Sequence, residues 1–481
     1  MTGDQMDRKS NFKKDFLWYF LGSLLPMIIG FIKTPIFTRY FDKESFGQLG
    51  IVTITFSFIG MMFFSWLNSC LWRFYSRYKE SEKLNVLYSN LFFLFLASLI
   101  IAGLISTFWY TTAKNELISE LIFYSFLQLV FNQLFLAYMV VIRLNQWSRY
   151  YTVVQSFRSV LGLLAALIMV FYFETGIAGL VSSLALIDAI FILILIGLNP
   201  AKIKLRLKEV HNALLKELLE YGSMGLVVNI SLLSLTYSDR YIIAMFHNLE
   251  EVGIYDQVYK ISQLSLMALI TIYFNTINPK LLKVLETDFK GSLSYMQTYL
   301  YPFILLGIPI VAYLAIFSKE LATLLLGADF RAGYILMPFI FVATFFHGIS
   351  NFFELRLKFS NRLKRLGFVA LAIALLNILL NLIFVSNFGY QWAAYTTMIS
   401  YFFMLFLFYI GDKQLFHIRK DQQRLLLRII ALLTIQYLLY IKFVDKMSLQ
   451  IEFRIGIGFI FVLMYFLFFR RSLLNLKIPT N

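Results

Sequence analysis

Charge is what this 481-residue chain has least of for its length: 15% of its residues are Asp, Glu, Lys or Arg. The stretch from Leu366 to Gly411 holds none in 46 consecutive residues. With 59% hydrophobic residues, a soluble fold could not bury so much apolar surface, so a water-soluble globular protein is excluded. Cysteine is nearly absent. The single Cys70 excludes intramolecular disulfides and cysteine-based metal sites. The four histidines, His211, His247, His347 and His417, are scattered and make no H-E-x-x-H, so no metal site and no cofactor are expected. No G-x-x-x-x-G-K-[ST] loop occurs, which removes ATP hydrolysis through that motif. No helix carries a carboxylate pair suited to glycosidase chemistry. Long outer loops of the kind used by membrane polymerases and lipid-sugar transferases are missing too. An enzyme is not expected.

What the chain does have is long apolar runs. Charge-free segments include Ser45 to Trp72, Leu84 to Ala113, Leu121 to Ile142, Gly291 to Ser318 and Ala332 to Phe353. A helix needs about 20 apolar residues to cross the hydrocarbon core, whereas a barrel strand alternates over about ten. The fold class is therefore an all-α polytopic membrane protein. Fourteen transmembrane helices are predicted, at 16–38, 47–70, 86–110, 117–141, 151–173, 176–198, 221–245, 252–278, 293–317, 334–356, 367–386, 388–411, 426–443 and 449–470. The run from Leu366 reads as two helices joined by a tight turn at Ser386-Asn387-Phe388-Gly389.

The basic residues are sided. Of 43 Lys and Arg, 30 fall in the N-terminus, the even-to-odd loops and the C-terminus, and seven in the opposite loops. The positive-inside rule places both termini in the cytoplasm. The net charge of +16 is mostly this topology signal, so nucleic acid is not an expected partner. The first fifteen residues are polar and the first helix is flanked like the others, so no cleavable signal peptide is expected. Two inner loops, Asn199 to Glu220 and Lys280 to Lys290, mix Leu with Lys and Glu at helical spacing. They read either as interfacial amphipathic helices or as plain linkers.

A weak internal repeat appears at an offset of 206 residues. Glu44-Ser45-Phe46-Gly47 matches Glu250-Glu251-Val252-Gly253, and Lys33 then falls on Asp239. Six helices separate the copies, so the repeat is parallel, a known transporter plan. It divides the chain into a six-helix lobe at 1–210, a second at 211–412, and two further helices with a short tail at 413–481.

Ionisable groups within spans are expensive unless they pair or face water, so each is a functional candidate. They are Lys33, Arg158, Asp188, Asp239, Arg240, Asp256, Lys260 and Glu354, with His347 and Asn351 on the Glu354 face at i, i+4, i+7. Structural readings stand beside the functional ones. Asp256 and Lys260 form an i,i+4 pair. Arg158 and Asp188 lie at similar depths on consecutive helices. Glu354 could answer Arg356 or another basic loop residue, and the His347 face could be a packing seam. Asp239 and Arg240 are adjacent in sequence and cannot share a helix face, so at least one needs a partner elsewhere. Lys33 and Arg240 are the leading candidates for a cationic cavity, with Arg158 and Lys260 behind them. Such a cavity suits a phosphate-bearing anion, because Arg offers a planar fork and Lys a mobile point charge.

Lys33-Thr34-Pro35 through Phe46-Gly47, Ser238-Asp239-Arg240-Tyr241-Ile242 through Val252-Gly253-Ile254-Tyr255, and Leu325-Leu326-Gly327 resemble segments of Wzx-type polysaccharide-biosynthesis flippases, within the multidrug/oligosaccharidyl-lipid/polysaccharide exporter superfamily. The resemblance implies two six-helix lobes in a V around a central cavity, with two helices outside. It implies residence in the bacterial cytoplasmic membrane. The implied activity is alternating-access export of an undecaprenyl-diphosphate-linked oligosaccharide, as in O-antigen or capsule assembly. The expected partners are that glycan lipid, membrane lipid, a proton or sodium ion, and other polysaccharide assembly proteins. Asp188, Asp239, Asp256 or Glu354 could carry the coupling ion. The alternative is a multidrug or organic-cation antiporter of the same superfamily. A lipid-sugar polymerase or ligase is disfavoured by the short outer loops.

Overall fold

A computed structural model of the chain describes residues 3–289, 291–360, 362–416, 418–444 and 450–474. Lys290, His417 and the tail beyond 474, all named above as sequence features, lie outside the described residues. The described chain is built from helices, with no strand among the described residues. In order they are α1 (Gly3–Phe37), α2 (Lys43–Gly60), α3 (Trp66–Glu80), α4 (Leu84–Thr112), α5 (Glu116–Leu144), α6 (Ser148–Phe171), α7 (Gly179–Leu198) and α8 (Asn212–Phe246). Then follow α9 (Leu249–Thr287), α10 (Ser292–Ile316), α11 (Ser318–Leu325), α12 (Met337–Phe359), α13 (Leu363–Phe388), α14 (Trp392–Gly411), α15 (Lys420–Leu439) and α16 (Ile451–Leu474). A π-helical turn, Met61–Ser65, joins α2 to α3 without a break.

Among the described residues, thirteen stretches are long and apolar enough to cross a membrane by length and composition. The expected span at 252–278 is not among them. It lies inside α9, whose first turns carry Glu250, Glu251, Asp256 and Lys260. Two boundary expectations are corrected. Residues 212–220 and 280–287 are not separate interfacial helices; they are the first turns of α8 and the last of α9. The predicted second helix also runs on, through α3 to Glu80. In each case the backbone ladder continues past the change of polarity, because hydropathy limits the membrane-embedded part and not the helix.

Helix ends have local causes. The Asn115 side chain accepts from Ile118 N at 3.2 Å and starts α5. Asn248 accepts from Glu251 N at 2.8 Å and starts α9, with Glu250 and Glu251 in its first turn. The turn predicted at Ser386–Gly389 lies further along: Ser386, Asn387 and Phe388 end α13, and Gly389 to Gln391 lead into α14. Gly389 sits there at φ +102°, a conformation open to glycine and strained for other residues. The starts of α2 at Lys43 and α9 at Leu249 keep the 206-residue offset of the repeat.

The chain forms two compact units: residues 1–33 with Glu44–Tyr241, and Thr34–Lys43 with Ile242–Asn481. In the first, Phe135, Tyr138, Met139 and Ile142 of α5 pack with Val154 of α6 and with Ile192 and Leu195 of α7. In the second, α15 and α16 dock on α10 through Leu305, Ile429, Leu433, Tyr465 and Phe469. Gln436 Nε2 donates to the Phe461 carbonyl at 3.1 Å, and the Tyr313 hydroxyl lies 2.9 Å from Gln436 Oε1. α16 also exposes Phe453, Phe459 and Phe468. Such surface suits hydrocarbon, where exposed aromatic rings carry no hydration penalty.

Gly327 shows why a small residue closes the Leu-rich segment after α11. Its N–H donates to Thr38 Oγ1 at 2.9 Å, and a Cβ added there would lie 1.8 Å from the Thr38 carbonyl oxygen. That obstacle is backbone and cannot rotate away. Gly327→Ala is expected to lower stability by about 3 kcal/mol through overpacking, read as a lower melting temperature of the detergent-purified protein.

Candidate functional site

In the first unit, Arg158 and Asp188 form a two-point ion pair. Arg158 Nε lies 2.5 Å from Asp188 Oδ1, and Nη2 lies 2.9 Å from Oδ2. Asn132 Nδ2 donates to Oδ2 at 3.1 Å, so α5, α6 and α7 are tied at one point. The Arg158 guanidinium also lies 4.5 Å from the Phe135 ring centroid. Asp188 is fully buried. The fork of Arg158 is thereby committed to a carboxylate, the geometry that satisfies both groups best in a low-dielectric interior.

On α8, Asp239 and Arg240 are both fully buried. Adjacent residues point about 100° apart on a helix, yet these two side chains meet. Arg240 Nη1 reaches back to Asp239 Oδ1 at 2.7 Å and donates to the Thr236 carbonyl at 2.6 Å. The length of the arginine side chain lets it curl around the helix, which a face-by-face reading of the sequence does not capture. The next residue, Tyr241, lies with its hydroxyl 2.6 Å from Thr55 Oγ1 of α2. Lys33 sits half-buried near the end of α1.

In the second unit, Asp256 is fully buried and its Oδ2 lies 2.5 Å from Lys260 Nζ. Gln257 Nε2 donates to the same oxygen at 3.2 Å. Glu354 is answered by Lys358, at 3.5 Å, and not by Arg356, which pairs instead with Asp412 at 2.6 Å. Glu354 Oε1 and His347 Nδ1 are buried without a hydrogen-bond partner among the described residues. His347 packs on the Tyr401 ring, with centroids 5.4 Å apart. Asn351 is half-buried one helical turn before Glu354.

Two polar clusters in the second unit are not singled out by charge placement alone. Asn377, Asn381, Thr396 and Ser400 form a buried ladder across α13 and α14. Asn381 Nδ2 donates to Asn377 Oδ1 at 3.1 Å, Asn377 Nδ2 to Ser400 Oγ at 3.2 Å, and Thr396 Oγ1 to Asn381 Oδ1. The i,i+4 spacing of two Asn residues inside a charge-free run is the signal that would have found it. Glu320, at the start of α11, accepts from Tyr440 at 2.5 Å and pairs with Arg454 Nη1 at 3.2 Å. It ties α16 to the body of the unit. No group of three or more His, Cys, Asp or Glu is placed to hold a metal among the described residues.

Long apolar helices carrying buried ion pairs mark a multi-pass membrane protein. The chain belongs to the polysaccharide biosynthesis protein family, whose model matches residues 12–284. No curated protein matches the chain. Among solved structures it is similar to the lipid II flippase MurJ in an inward closed conformation, with a TM-score of 0.73 and 16% identity over 95% of this chain and 99% of that one. It is also similar to the Vibrio cholerae MATE transporter VcmN in its bent form (TM-score 0.53, 13% identity, 84% of this chain and 96% of that one). A third likeness is an outward-facing multidrug resistance MATE family transporter of the MOP superfamily (TM-score 0.53, 13% identity, 84% and 95%). The fold is the one these flippase and transporter structures share.

Proposed function

We propose that this chain is a flippase that moves undecaprenyl-diphosphate-linked oligosaccharide repeat units from the inner to the outer leaflet of the bacterial cytoplasmic membrane by alternating access, with both termini cytoplasmic. The observation that carries this reading is the membership of the polysaccharide biosynthesis family joined to a flippase-like fold over 95% of the chain. Arg240 and Lys33 are its cationic elements toward the diphosphate, Arg240 meeting Asp239 through Nη1 where Arg158 meets Asp188 through both Nε and Nη2. Arg158 is a structural partner of Asp188 in this reading, because its fork is already occupied.

Coupling is assigned to Glu354. The other candidate carboxylates, Asp188, Asp239 and Asp256, each have a cation within 2.7 Å, whereas Lys358 stands 3.5 Å from Glu354 and one Glu354 oxygen has no hydrogen-bond partner among the described residues. Glu354 is thus the candidate carboxylate held least tightly by a cation. Glu354→Gln is expected to leave export insensitive to an imposed proton gradient while the protein still reaches the membrane. Unchanged gradient dependence would remove the assignment.

The test of the function is complementation of a strain lacking its own O-antigen or capsule flippase. Restored surface polysaccharide supports the reading. The MATE-like fold favours one second reading, a multidrug antiporter. Drug resistance conferred without restored polysaccharide would select it.

A further inference from the structure

The loops that the charge bias assigns to the cytoplasm include one recess in the second unit, between the end of α12, the start of α13 and the end of α14. Its volume is about 600 Å³, and Arg356, Arg362, Arg365 and Lys413 line it. Asp412 is the one acid lining it among the described residues, and it is held by Arg356 Nε at 2.6 Å. Arg356 is itself fixed: it donates to Ser292 Oγ at 3.3 Å and stacks 4.8 Å from the Phe289 ring centroid. Arg362, Arg365 and Lys413 are in no ion pair among the described residues, which leaves the recess with a surplus of three positive charges.

The position of Arg365 is built in. A Cβ on Gly411 would lie 1.6 Å from Arg365 Nη2, so the glycine makes the room that the guanidinium fills. On α13, Phe368, Leu371, Leu375 and Leu379 follow Arg365 on one face, and all four are exposed. A cationic recess therefore continues into an apolar strip along the same helix. Free phosphate would use only the first of these features; a lipid uses both.

We propose that this recess binds the phosphate-bearing headgroup of a lipid in the cytoplasmic leaflet, with its chain along the exposed face of α13. The source is either a bulk anionic phospholipid or the diphosphate of a polyprenyl carrier. The proposal takes the orientation given above but not the transported substrate, since binding is read without transport.

The full chain is purified in phosphatidylcholine nanodiscs and titrated separately with phosphatidylglycerol, undecaprenyl diphosphate and inorganic phosphate. Bound lipid is counted by native mass spectrometry. Wild type is expected to retain at least one of the two lipids, and Arg362→Gln with Arg365→Gln to weaken that retention about tenfold or more. Gly411→Ala, which changes no charge, is expected to weaken it by displacing the Arg365 guanidinium. Preferential retention of phosphatidylglycerol identifies the bulk phospholipid, and of undecaprenyl diphosphate the carrier. Equal loss in a charge-matched control, Lys364→Gln with Lys420→Gln, overturns the site in favour of net charge. Inorganic phosphate binding as tightly as the lipids, or retention unchanged in every variant, also overturns it.

Discussion

Asp188→Ala is expected to destabilise the first unit by about 3–5 kcal/mol, because it leaves the Arg158 guanidinium in an apolar setting with its main partner removed. The pair is two-point, with contacts of 2.5 and 2.9 Å, and Asn132 holds the second carboxylate oxygen. All three groups come from different helices, so their loss loosens the packing of α5, α6 and α7 together. The double change Asp188→Leu with Arg158→Leu removes both charges at once and is expected to recover most of that stability. Thermal melting in detergent, with retention on size-exclusion chromatography, reads both. A single mutant as stable as wild type would show that the pair is not needed to hold the helices.

Arg240→Ala is expected to reduce complementation about 100-fold, the loss of two charge-assisted contacts. The guanidinium here touches Asp239 Oδ1 and the Thr236 carbonyl, so removing it also leaves Asp239 buried beside no arginine. Stability and export must be separated. Asp239→Ala with Arg240→Ala removes both members of the contact and is expected to restore membrane abundance without restoring surface polysaccharide. If export returns with abundance, Arg240 acts only as a structural counter-ion and its role toward the diphosphate is lost. Arg240→Lys keeps the charge but not the fork and is expected to fall between the two.

Different parts of this account were legible to different degrees. The charge-free run from Leu366 gave two helices and their turn, because membrane-length hydropathy and one glycine signal are local properties. The extensions of α3, α8 and α9 past their apolar parts were not legible, since nothing in the sequence marks where a helix stops once it leaves the apolar layer. Among the charges, the Asp256–Lys260 contact follows from i,i+4 spacing on one helix. The choice of Lys358 over Arg356 by Glu354 follows from spacing only after Asp412 is known to claim Arg356. The Asn377–Ser400 ladder escapes a search for charges because amides and hydroxyls leave no mark on hydropathy when they satisfy one another.

The sequence by itself determined the helical membrane class and most of the spans. These depend on sums over neighbouring residues and survive any arrangement of the helices. The tertiary structure alone decided that Lys358 and not Arg356 answers Glu354, and where Arg362, Arg365 and Lys413 converge. Those outcomes depend on the rotation of each helix about its axis and on contacts between residues far apart in the chain. A difference of one residue in sequence turns a side chain by about 100°.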